Sequence, residues 1–97
     1  MVIGLLQARL RVRESRSLKD KRQVVRSILD RLRSQFNVAA SEKDTQDDHQ
    51  LVSLGVSAVG PEMEVVRNVL QTIQEMLRKH PVAEYLGGDL SLGHEVV

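Results

Sequence analysis

The sequence predicts an α+β two-layer sandwich, a four-stranded antiparallel sheet carrying two helices on one face, on three observations. Residues 2–13 and 51–59 alternate between apolar and polar side chains, the period of a half-buried strand. Two further stretches repeat apolar residues at offsets 0, 3, 4, 7 and 11, the stripe of an amphipathic helix: Val25, Ile28, Leu29, Leu32 and Phe36, then Val66, Val69, Leu70, Ile73 and Leu77. The predicted elements run strand, helix, strand, strand, helix, strand. That order is a split βαβ unit doubled on itself, the ferredoxin-like arrangement, and residues 1–97 form a single such domain.

The first strand directs Val2, Leu6, Ala8, Leu10 and Val12 to one side and Ile3, Leu5, Gln7, Arg9, Arg11 and Arg13 to the other. After Glu14-Ser15-Arg16, Ser17 is placed to cap a helix over Ser17 to Phe36, with Asp20 as a shortened capping box. At 100° per residue, Lys19, Arg22, Arg26 and Arg33 project to one shoulder of this helix, beside the buried stripe. Asn37 is a plausible stop, and Val38 to Glu42 reads as a short edge strand. The polar stretch Lys43 to Gln50 is a hairpin loop before the second long strand, in which Val52, Leu54, Val56 and Ala58 share a face.

Gly60-Pro61 opens the second helix, with proline at its first position and Glu62 and Glu64 near the positive end of its dipole. Arg78, Lys79 and His80 suit its last turn and Pro81 ends it. Val82 to Gly93 supplies a last strand, irregular around Gly87-Gly88, and His94 is expected in a loose tail. Right-handed crossovers then put the two long strands at the centre, the short and last strands at the edges, and both helices on one face. The end of the first strand, the start of the first helix, the 43–50 hairpin and the His80-Pro81 turn are expected to meet at one pole.

A chain of 97 residues buries roughly 60–70% of its unfolded surface, enough for one small core. Without cysteine there is no disulfide framework, thiolate metal site or cysteine nucleophile. The opening MVIGLLQARL is too short and too polar for a membrane span and lacks signal-peptide order, so the expectation is a cytoplasmic protein with no membrane association. The net charge of +1 divides unevenly: residues 1–36 carry +7 and residues 37–97 carry −6.

At Ser17-Leu18-Lys19-x-Lys21-Arg22, followed by Arg26, Leu32, Phe36-Asn37-Val38 and Glu42, the chain resembles the YlxP-like family, small bacterial proteins of unknown function. The resemblance implies a ferredoxin-like fold and covers nearly the whole chain. The family's genes lie in some bacteria among those for translation initiation and ribosome maturation, which implies work on RNA or the ribosome. Many relatives carry tryptophan after the acidic residue of the hairpin, where this chain has Asp47-Asp48-His49-Gln50. The family assigns no catalytic residues.

The candidate site is a basic pole that binds nucleic acid or another anion: Arg9, Arg11, Arg13, Arg16, Ser17, Lys19, Lys21 and Arg22, continuing through Arg26 and Arg33. The competing reading is a solvated surface, neutralised by the hairpin acids Glu42, Asp44, Asp47 and Asp48. Asp44, Asp47, Asp48 and His49 form no complete metal-ligand motif. Ser17 has no histidine or lysine spacing that marks a nucleophile, and no acid–base pair is visible, so no cofactor is expected and an enzyme ranks last among the functional readings. With only Phe36 and Tyr85 as aromatics, the sheet is no aromatic RNA platform. The open sheet face, with Ile3, Leu5, Leu51 and Val59 as candidate interface residues, suits a homodimer or a protein partner. The first functional expectation is therefore a non-enzymatic RNA- or ribosome-associated module, the second a self-assembling or protein-interaction module, and the third an enzyme acting on a phosphorylated small molecule.

Overall fold

The computed structural model describes residues 1–94; residues 95–97, the last three of the expected domain, lie outside the described residues. Six elements follow the expected order: β1 (Val2–Arg11), α1 (Leu18–Gln35), β2 (Ala39–Glu42), β3 (Leu51–Gly60), α2 (Met63–Arg78) and β4 (Glu84–His94). The antiparallel sheet has the strand order β2-β3-β1-β4, so both long apolar strands are central. This is the ferredoxin-like βαββαβ sandwich.

Strand alternation sets the two layers. Val2, Leu6, Ala8 and Leu10 of β1 and Val52, Leu54, Val56 and Ala58 of β3 are all buried, and the helices cover them with Val25, Ile28 and Leu32 from α1 and Val66, Leu70, Ile73 and Leu77 from α2. α2 lies over β1, β3 and β4, and α1 lies toward β2. Gly4 allows α2 this close approach, since a Cβ there would fall 2.6 Å from Val66 Cγ1 and 2.7 Å from Leu70 Cδ1.

Several local expectations shift. Ser17 does cap α1, accepting from Asp20 N at 3.1 Å, but the Asp20 carboxylate reaches back to Arg16 N at 3.2 Å rather than to Ser17 N. Pro61 lies outside α2, which begins at Met63 behind Glu62 as its N-cap. The backbone at Gly87 has φ 155° and the β1–β4 register shifts between Arg9 and Leu10, so the irregularity expected there is a bulge. His94 is the last residue of β4, opposite Val2, and not part of a tail.

The α2–β4 turn is held by a histidine. His80 Nδ1 accepts from Val82 N at 3.2 Å and Ala83 N at 3.0 Å, which requires the unprotonated ring, and burial, seconded by the Arg31 charge, holds the imidazole below its ordinary range. His80 sits against Ser27, Ile28 and Arg31 in the middle of α1. It is Glu84, not His80, that reaches the pole where β1 ends and α1 begins.

Candidate nucleic-acid interface

Lys21 corrects the sequence reading most. Its side chain is fully buried, and Nζ donates to Glu42 Oε2 at 2.8 Å, Leu51 O at 3.2 Å and Thr45 O. All three ammonium protons are used, so Lys21 clamps α1 to the hairpin and is closed to any ligand. The signal was present in the sequence: Lys21, Val25, Ile28 and Leu32 stand at offsets 0, 4, 7 and 11, on the buried stripe rather than the shoulder.

Three more cations are engaged. Arg9 lies 3.4 Å from Asp89, Arg13 Nε donates to Glu84, and Arg33 Nη2 donates to Ala40 O at 2.6 Å. The hydrogen bond from Arg13, with the charges of Arg13 and Arg11 behind it, holds the Glu84 carboxyl below its ordinary range, and the same pairing raises the Arg13 guanidinium. The carboxylates that neutralise Arg9 and Arg13 thus come from β4. The hairpin contributes only Glu42, to Lys21. Asp48 spends its carboxylate on Gln50 N at 2.8 Å and Leu51 N at 2.7 Å, which keeps it ionised below the usual carboxylate range; Asp44 approaches only Lys43, and Asp47 has no partner among the described residues.

Arg33 also explains how the sheet edge is closed. Lys43 N donates to Ser53 O, so by strand alternation Ala40 and Glu42 turn their backbone groups away from β3. Arg33 covers the Ala40 carbonyl and Gln46 Nε2 covers that of Glu42 at 3.1 Å, so both outward carbonyls of the β2 edge are occupied.

Of the expected basic site, the cations left over are grouped; outside it Arg31, Arg67 and Lys79 are likewise exposed with no ion-pair partner among the described residues. Arg16, Lys19, Arg22 and Arg26 are exposed and have no ion-pair partner among the described residues. Lys19, Arg22 and Arg26 share the α1 shoulder that leads to Arg33 and the β2 edge, and span about 10 Å at 1.5 Å per residue. Arg11 is half-buried and lines a groove at the pole with Ser15, Arg16, His49 and Gln50. Ser17 acts as the cap. His49 and Gln50 are neighbours that the sequence reading left out of the site; the β1–β3 register, which sets Arg11 opposite Leu51, is what places them there.

On the open sheet face, Ile3, Leu5 and Val59 are 48%, 37% and 62% exposed, and Ile3 stands opposite Val59. Leu51 is separate from them. It pairs with Arg11, eight residues along β1 from Ile3 and so about 26 Å away, half-buried at the pole. Tyr85 is occupied: Gln74 Nε2 donates to its hydroxyl at 2.7 Å and Arg78 lies 5.3 Å from its ring centroid. Among the described residues no group of three or more His, Asp or Glu side chains is arranged to hold a metal ion, and no helix is long and apolar enough to cross a membrane.

Fold and surface together define a small ferredoxin-like domain with one unpaired basic helix shoulder. Residues 3–88 match the family model described as "Protein of unknown function (DUF503)", and the chain belongs to that family. It is 32% identical over 83 residues to the uncharacterized protein YlxP of Bacillus subtilis (strain 168), a match spanning 86% of this chain and 90% of that protein.

Proposed function

We propose that the protein is a non-enzymatic RNA- or ribosome-associated module that binds the phosphate backbone through Arg16, Lys19, Arg22 and Arg26. One observation carries the reading: these four cations stay unpaired on one surface while Arg9, Arg13, Lys21 and Arg33 are spoken for. Lysine and arginine side chains that keep their donors free neutralise phosphates and release counterions. With four phosphates of a single strand neutralised, log affinity falls against log salt with a slope of about −3. Co-sedimentation with ribosomes and titration with single-stranded RNA at two salt concentrations test the reading. Salt-insensitive binding, or none, rejects it.

A second reading is supported by the exposed Ile3, Leu5 and Val59, which suit a homodimer across the open sheet face. Light scattering decides it: a dimer dispersed by Leu5→Asp supports it, and a monomer at all concentrations removes it.

A further inference from the structure

We propose that the groove at the pole is a seat for a single phosphate group, gripped by Arg11 with Arg16 and His49 beside it. Arg11 is the anomaly of the surface. It is half-buried, its Nε is shut off from solvent, and its guanidinium donates to no described residue. Withdrawing a guanidinium N–H from water without giving it an acceptor works against folding, and the one fully buried cation among the described residues, Lys21, is fully satisfied. The guanidinium fork matches the oxygens of a phosphate, which would supply the missing acceptor once the side chain turns its Nε edge into the groove.

The surroundings favour an anion. Arg16 lines the same groove and is exposed and unpaired; His49 and the polar Ser15 and Gln50 complete its wall. Of the nearby carboxylates, Asp48 is turned onto two backbone amides and Glu84, which feels the Arg11 charge, is bonded to Arg13. Asp47 is the one carboxylate lining the groove that has no partner among the described residues, so two unpaired arginines face one unpaired acid. That balance suits a phosphate at the end of a contact track rather than a highly charged polyanion. The seat rests on the backbone-binding reading for its source alone, since an RNA strand and a free phosphate compound present the same group.

The test follows the Arg11 Nε–Hε resonance of the ¹⁵N-labelled protein, identified by its loss in Arg11→Gln. The probes are inorganic phosphate, at ionic strength held constant with sodium chloride, and a single-stranded RNA dodecamer. The expected result is a saturable shift of this resonance with both probes. Arg11→Gln should weaken RNA binding about threefold while leaving the thermal midpoint unchanged or higher, whereas a merely structural arginine would lower the midpoint on removal. A resonance that neither probe moves overturns the seat, even if RNA still binds through α1. A resonance moved by phosphate in a protein that binds no RNA keeps the seat for a free phosphate compound and rejects the RNA reading. Movement by RNA alone keeps it for a backbone phosphate. Should Arg11→Gln fail to fold, Arg16→Gln, at an exposed and unpaired position, must weaken the phosphate titration or the seat falls.

Discussion

Lys21 Nζ lies 2.8 Å from Glu42 Oε2, with side-chain exposures of 0% and 10%, and this pair joins the first helix to the edge strand and hairpin. Thr45 Oγ1 donates to the same carboxylate oxygen at 2.7 Å and accepts from Ser53 N at 2.9 Å, so the pair anchors a network that fixes the shape of the hairpin. Both residues belong to the sequence motif that carries the family resemblance.

Removing one partner of this pair strands the other in the interior. Lys21→Ala should lower unfolding stability by about 3–5 kcal/mol, a large share of what a domain of this size possesses. The double variant Lys21→Met with Glu42→Leu should be less damaging than Lys21→Ala, and still short of the parent because Thr45 O and Leu51 O lose a donor. Urea unfolding with m-values compared across the set measures both.

Gly4 faces α2, and a methyl group there meets Val66, Leu70 and Leu92 at 2.6 to 2.9 Å. Gly4→Ala is expected to cost about 1–3 kcal/mol through overpacking. At Gly55 a Cβ meets nothing within 4 Å, so Gly55→Ala should be tolerated. The thermal midpoints of the two variants, measured side by side, check the contrast.

The His80 turn makes stability depend on pH. The folded protein holds His80 unprotonated below its ordinary range, whereas the unfolded chain takes up the proton near pH 6.5. The unfolded state therefore binds more protons in this window. Its contribution is complete above about pH 6.5 and is lost as pH falls through the folded value. Urea midpoints followed from pH 7.5 to 4.5 should fall, and His80→Gln should flatten that part of the curve at the expense of stability at neutral pH.

Lys19, Arg22 and Arg26 form no ion pair with any described residue. Reversing all three to glutamate should change stability by less than about 1 kcal/mol, the scale of surface charge effects. RNA or ribosome binding should disappear in the same variant. Circular dichroism melts paired with co-sedimentation separate loss of binding from loss of folding.

Periodicity of two and of 3.6 residues was enough to place both central strands and both helices, and to say which face of each is buried. The cap at Ser17 and an irregularity around Gly87-Gly88 were legible too, because capping residues and paired glycines are local signals; that the irregularity is a bulge came from the β1–β4 pairing. Lys21 was legible in principle, since its offset from Val25, Ile28 and Leu32 puts it on the buried stripe.

Which cations are free was decided only by the tertiary structure. Arg9 and Arg13 are neutralised by Asp89 and Glu84, 80 and 71 residues away, through a register that a bulge resets between Arg9 and Leu10. Of the hairpin acids, nearer in sequence, Glu42 turns instead to Lys21 and Asp48 to backbone amides of its own loop. Ion pairing depends on the distance between side chains after the sheet has assembled, and a shift of one residue in strand register changes every partner along it. The chain alone therefore established the layers and their buried faces, whereas assembly of the sheet determined which charges remain on the surface.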